Sequence, residues 1–299
     1  IIRTYPGVAF TVGGYRNDLF VRGGASSENR FYLDGIEIPN INHFSTQGSS
    51  GGAISILNAD MIREVSFYTS AFPVDKSGAM SSVMDISLRN GKVDKQSFKA
   101  TVGASEVSLS GTGHIGCQTN YLFSVRQSYL QLLFKAFCLP FLPNFIDGQF
   151  KIKSKLGEHN DLTLIGLTGI DDMKLNKDKK GEDAEYILSY LPRIRQQTFT
   201  LGAVYKHYAD QSIQSLTLGY NYLHDENLKY NRNDESSEAN KTLDLASTEQ
   251  KLSLKAENRT NLERWTLTEG LDAYYAHYYN STFQRLFSDS IYTSDYLSR

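Results

Sequence analysis

Apolar and polar residues follow two different patterns along this chain, and the change comes near Ser97. From there they alternate with a period of two, run after run. Tyr121, Phe123 and Val125 alternate with Asn120, Ser124 and Arg126, and Phe150, Ile152 and Leu156 with Lys151, Lys153 and Lys155. Phe199, Leu201, Ala203 and Tyr205 alternate with Thr198, Thr200, Gly202 and Lys206. Leu216, Leu218 and Tyr220 alternate with Ser215, Thr217, Gly219 and Asn221, and Leu252, Leu254 and Ala256 with Lys251, Ser253 and Lys255. Successive side chains of a strand point to opposite faces, so each run predicts a strand with one apolar and one polar face. The runs are about 9–12 residues long, the length a tilted strand needs to cross a bilayer.

The connections alternate as well. Short ones fall near 116–119, 157–160, 208–212 and 260–264; long polar ones fall near 130–147, 171–195 and 225–247. A soluble β-sandwich has no reason to alternate so regularly. A membrane barrel does, because one rim carries tight turns and the other extended loops. Two stretches depart from the pattern. Residues 161–169 carry apolar side chains at both parities, so their lipid face is ambiguous. In the last predicted strand Glu269 shares the parity of Trp265, Leu267 and Leu271, which predicts either a lower start for that strand or a bulge.

The first ~90 residues are irregular. Glycines at 13–14, 23–24, 35, 51–52, 78 and 91 punctuate short apolar runs at 19–21, 31–33 and 83–86. This predicts a domain of short strands and tight turns. Residues 58–65 read as a short helix capped by Asn58 or Asp60, leading into a strand at 65–69.

Composition narrows the class. With 40% hydrophobic and 21% charged residues the chain is neither disordered nor a disulfide scaffold. The 31 basic and 33 acidic residues leave no footprint for nucleic acid. No apolar run approaches the ~18 residues of a transmembrane helix; the best stretch, 129–145, is broken by Lys135, Pro140 and Pro143. Tyr outnumbers Phe, 19 to 16, which suits an interface girdle but equally a glycan-binding surface. Cys117 and Cys138 form no metal pattern and are expected at opposite ends of the strands, unbonded. No secretory signal opens the chain at Ile1 and no stop is evident at Arg299, so both ends are expected to be truncations.

Five segments in the first half resemble, in order, those of the TonB-dependent receptor plug. They are Pro6-Gly7-Val8; Leu19-Phe20-Val21-Arg22-Gly23-Gly24; Asn29-Arg30-Phe31-Tyr32-Leu33-Asp34-Gly35-Ile36; Asn58-Ala59-Asp60-Met61-Ile62-Arg63-Glu64-Val65; and Val83-Met84-Asp85-Ile86-Ser87-Leu88-Arg89-Asn90-Gly91. The resemblance implies an α+β plug domain at 1–92, truncated at its N-terminus. It implies that 93–299 is the first part of an antiparallel transmembrane β-barrel, about nine of the family's roughly 22 strands. It implies a Gram-negative outer-membrane receptor that imports a large or scarce solute (a siderophore or metal complex, vitamin, glycan or peptide). The energy comes from the TonB complex, acting through a segment absent here. Implied partners are TonB, outer-membrane lipid, an unidentified small-molecule or oligomeric substrate and, as a further candidate, a surface lipoprotein. The alternative is a signalling or assembly receptor of the same fold without transport; a soluble β-rich adhesin is a third class.

By the same resemblance, Arg22 and Asp34 are candidates for locking plug to barrel. Substrate contacts at the plug's apex fall on Arg16, Asn17, Ser26, Ser27, Glu28, Asn42, His43 and Phe44. Lys151, Lys153, Lys155, Lys206, Lys251 and Lys255 share the lumen parity, either to attract an anionic cargo or to answer plug acids such as Glu64, Asp75 and Asp85. The residues offer no Ser-His-Asp arrangement, phosphate loop, metal site or cofactor motif, and no enzyme is expected.

Overall fold

The computed structural model describes residues 6–10, 17–45, 49, 51–52, 54–76, 78–176, 182–286 and 290–298. The glycine-rich part folds as short strands and turns. β1 (Val8–Phe10) pairs antiparallel with β2 (Leu19–Val21). β3 (Asn29–Leu33), β4 (Ile36–Ile38), β5 (Ile62–Tyr68) and β6 (Ser82–Leu88) make a sheet in the order β4-β3-β6-β5, with β3 and β6 parallel. The β3–β4 hairpin closes in two residues because Asp34 and Gly35 both take left-handed backbone, φ 48° and 88°. That is what a tight hairpin of the correct twist requires. The expected helix is a single turn, Ala59–Met61, whose cap Asn58 accepts the Asp60 N–H. The strand after it begins at Ile62, earlier than expected.

A ten-stranded antiparallel wall follows, each strand beside the next. Its strands are β7 (Ser97–Val102), β8 (Glu106–Ile115), β9 (Thr119–Ser128), β10 (Phe141–Lys155), β11 (Asn160–Leu175), β12 (Arg193–Tyr208), β13 (Ser212–Tyr230), β14 (Lys241–Leu262), β15 (Trp265–Arg285) and β16 (Ile291–Ser298). The tenth, β16, corrects the expected nine. The proposed division at 92/93 lies between β6 and β7. Strands β10 to β15 run 15 to 22 residues, longer than the expected bilayer span. The surplus lies on the long-loop side, where pairing continues into segments that read as loops. The connection expected at 225–247 shrinks to 231–240, and helices α1 (Leu130–Ala136) and α2 (Glu182–Tyr190) occupy the other two. Cys117 lies in a short turn and Cys138 beyond α1, at opposite ends of β9; both are free.

The plug rests on one face of this wall, and its core is shared. Leu122, Ile165, Leu167 and Val204 of the wall join Leu33, Ile36, Ile38, Ile56, Ile86 and Leu88 of the plug in one buried cluster. That settles the ambiguous stretch at 161–169: Ile165 and Leu167 face the plug while Leu164 faces outward, 37% exposed. Glu269 is opposite Asn258 in an unbroken register and accepts a 3.0 Å hydrogen bond from it. No bulge is present there, and Glu269 lies near the 263–264 turn, as the lower start requires.

The tightest apolar contact needs two glycines. Gly202 and Gly219 are cross-strand partners, and a Cβ on Gly202 would fall 1.9 Å from Ile36 Cδ1. Ile36 therefore sits in a notch that exists only because the wall has no side chains there. Gly202→Val should overpack the seat and destabilise the plug–wall contact by about 1–3 kcal/mol. Pairing it with Ile36→Ala should recover part of the loss in a double-mutant cycle followed by protease protection of the plug. Strict additivity would mean that the notch is not the seat.

Candidate functional site at the plug–wall contact

Polar contacts flank that apolar seat, each with one partner on the plug and one on the wall. Lys151 on β10 lies 3.0 Å from Asp34 Oδ2, while the other Asp34 oxygen accepts the Leu88 N–H. Lys251 on β14 lies 2.6 Å from Glu37, and Lys255 lies 3.1 Å from Asp75. Inward alternation placed these lysines, and plug acids answer three of them. Asp85 pairs instead with Lys76 of the plug, Lys153 with Asp161 of the wall, and Glu64 is exposed.

The most enclosed contact centres on His43, whose side chain is fully buried. Its Nδ1 donates to Asp171 Oδ1 at 2.6 Å, and its Nε2 lies 3.1 Å from Asp147 Oδ2. The ring stacks on Phe145 with centroids 4.0 Å apart. Arg126 Nε lies 3.0 Å from both Asp147 oxygens, and its Nη2 donates to the plug carbonyls of Ser55 at 2.6 Å and Ile56 at 3.0 Å. Phe44 N–H donates to Asp171 Oδ2 at 2.6 Å, and Ser45 N–H to Gln196 Oε1 at 3.1 Å. Two wall carboxylates, one wall guanidinium and one plug imidazole thus form a continuous charge-assisted network, stronger per bond than neutral pairs.

Burial disfavours the charged ring, but the hydrogen bonds to Asp147 and Asp171 and their charges outweigh it, holding the His43 imidazolium above its ordinary range. Because the folded value exceeds the unfolded one, this stabilisation is full below about pH 6.5 and fades as pH rises through the raised value. Protease protection of the plug in the assembled protein should decline on the alkaline side, and His43→Gln should flatten the decline. An unchanged decline in His43→Gln would assign it to another group.

The sequence-derived candidates separate. Asn17 N–H donates to Gly51 O, and Gly52 N–H to His43 O, so Asn17 joins Asn42, His43 and Phe44 around one turn. Asn42 and His43 are buried, 4% and 0% exposed, and the wall's acids hold His43 inward. Ser26–Glu28 form a separate turn against Ser81, with Ser26 buried and Ser27 exposed. Arg22 is exposed, in left-handed backbone, and pairs with no acid among the described residues. Arg16 lies outside the described residues. The network's wall members, Arg126, Asp147, Asp171 and Gln196, were not singled out from sequence. Asp147 and Asp171 both fall at the edges of stretches that read as long loops, although Asp147 shares the parity of Lys151 along β10.

Residues 1–83 match the TonB-dependent receptor plug domain. Among solved structures, the ferric enterobactin receptor PfeA of Pseudomonas aeruginosa superposes with a TM-score of 0.63 at 14% identity, covering 94% of this chain and 46% of that one. The copper transporter OprC gives 0.67 at 13% identity, covering 98% and 45%. The pyoverdine outer-membrane receptor FpvA of P. aeruginosa PAO1 gives 0.66 at 14%, covering 96% and 44%. The chain spans somewhat less than half the length of these proteins. No curated protein matches it in sequence. Residues 1–83 are thus a TonB-dependent receptor plug domain, and the ten consecutive strands on which it is seated have the fold of these receptors' wall.

Proposed function

We propose that this chain is the plug and adjoining wall of an outer-membrane receptor that imports a scarce solute on energy drawn from TonB. The observation that carries the reading is the character of the seal. The plug is held by ion pairs, hydrogen bonds and apolar packing, a contact firm at rest and separable without breaking a covalent bond. Asp34 with Lys151, and His43 with Asp147 and Asp171, are the locking contacts in this reading; Arg22 has none among the described residues. The relatives whose names mention ferric enterobactin, pyoverdine and copper favour a metal or metal-chelate cargo, met first by the long-loop rim. A surface lipoprotein remains a candidate partner.

The test is accumulation of labelled ferric chelates and copper by cells carrying the full-length protein, with TonB intact or deleted. TonB-dependent accumulation supports import. Binding without accumulation under both conditions would overturn it in favour of a signalling or assembly receptor.

A further inference from the structure

The loop helix α2 and the buried His43 network are joined by an unbroken set of contacts. The C-terminal carbonyls of α2 are held from outside the helix. Lys229 Nζ donates to Leu188 O, to Leu191 O at 2.9 Å and to Asn233 Oδ1 at 2.8 Å, and Asn233 Nδ2 donates to Leu188 O at 3.1 Å. A cation there satisfies orphan carbonyls and suits the helix dipole. The inner side of the same segment meets the plug through a shared buried cluster: Ile187 of α2 and Phe44 of the plug both rest against Leu191, Met173 and Ile194. The outer side carries Tyr186 and Tyr190, 71% and 49% exposed and edge-on at 5.5 Å, where an arriving solute would meet them.

Phe44 is the link. Its backbone is left-handed, φ 54°, a conformation a bulky residue keeps only when its surroundings hold it. Here the apolar cluster and the Phe145 ring, edge-on at 6.4 Å, hold its ring, and Asp171 holds its N–H. The other oxygen of Asp171 takes His43, and His43 leads through Asp147 to Arg126 and the plug carbonyls it clasps. Lifting α2 strips Ile187 from the cluster that holds the Phe44 ring, and a loosened cluster leaves the remaining holds to work against the backbone's own preference.

We propose that α2 is a docking helix for the plug: seated on the apolar cluster that carries Phe44, it keeps the His43 contact closed, and a solute that lifts it loosens that contact. The coupling must run both ways, because a free-energy link between two sites is reciprocal. It deepens the import reading but does not need a solute for its test.

The experiment is amide hydrogen exchange on the full-length protein in lipid nanodiscs, using preparations that show heat-modifiable barrel migration. Leu191→Ala and Lys229→Met should each speed exchange about tenfold in α2 and in plug peptides covering 41–45 and 54–57. Tyr186→Ala, on the outer side, should leave the plug peptides unchanged. Conversely, His43→Gln should speed exchange in α2. Lys229→Met leaves the apolar cluster intact and serves alone where Leu191→Ala does not assemble. Faster exchange confined to α2, or a loosened plug with α2 still protected in His43→Gln, would overturn the coupling. Coupled exchange in a protein that fails the uptake test would remove import and leave the coupling standing.

Discussion

Arg126→Met should weaken the plug's hold on the wall by about 3–5 kcal/mol, the loss expected when one partner of a buried ion pair is removed. The substitution keeps much of the side chain's apolar stem and deletes only the guanidinium. Asp147, completely buried, is then left with His43 alone, and the carbonyls of Ser55 and Ile56 lose their donor. Each of those consequences is a buried charge or acceptor without its partner, which costs more than the bond itself was worth. The expected readout is a lower urea midpoint for protease access to the plug, with the barrel still assembled. Lys99→Met supplies the contrast. Its partner Asp60 is 2.6 Å away, but both side chains are about two-thirds exposed, so that loss should stay within about 1 kcal/mol. Adding Asp147→Asn to Arg126→Met should cost less than the two single losses summed, because the charge left stranded is then gone. Equal losses from Arg126→Met and Lys99→Met would mean that the buried network does not hold the plug.

Leu218→Arg should reduce barrel stability by about 2–4 kcal/mol, while Thr217→Arg next to it should be tolerated. Leu218 lies on the face turned away from the plug, 47% exposed, among Leu201, Leu216, Leu252 and Leu254, each similarly exposed. So many half-exposed leucines on one face are what a lipid-facing surface carries. Thr217 is on the other face, lining a cleft of about 330 Å³ between plug and wall with Arg30, Glu37, Asp75, Lys251, Lys255 and Asp272, a polar space with room for a guanidinium. Guanidinium denaturation in lipid vesicles measures both. If the outer face met water, arginine at 218 would be neutral, since the site is half-open in the wall itself. A neutral Leu218→Arg, or a greater loss at 217, would reverse the assignment of the two faces.

What could be read from the chain, and what could not, follows the range of the forces involved. Strand direction, the two faces of β12, β13 and β14 and the alternation of short and long connections were legible, because period-two patterning acts over neighbouring residues. The plug's hairpin at Asp34-Gly35 and the turn capped by Asn58 are local in the same sense, although the turn came out shorter than the pattern suggested. Strand length was not legible: hydrogen bonding to a neighbouring strand carries β13 and β14 well past the point where the apolar run ends. Nor was the inner face of β11. Ile165 and Leu167 break the alternation because an apolar plug, far earlier in sequence, covers that patch of wall. His43 shows the limit most plainly. Its sequence neighbours made it a surface loop residue, and only the fold brings Asp147 and Asp171, both distant in the chain, to its two ring nitrogens. Gly202 reads as an ordinary small residue on a polar face until Ile36 arrives to fill the space. Along β12, β13 and β14 the sequence determined which residues face the plug; the tertiary structure decided which of them meet a partner there, because a long-range contact is fixed by packing two surfaces together and leaves no periodic trace in either one.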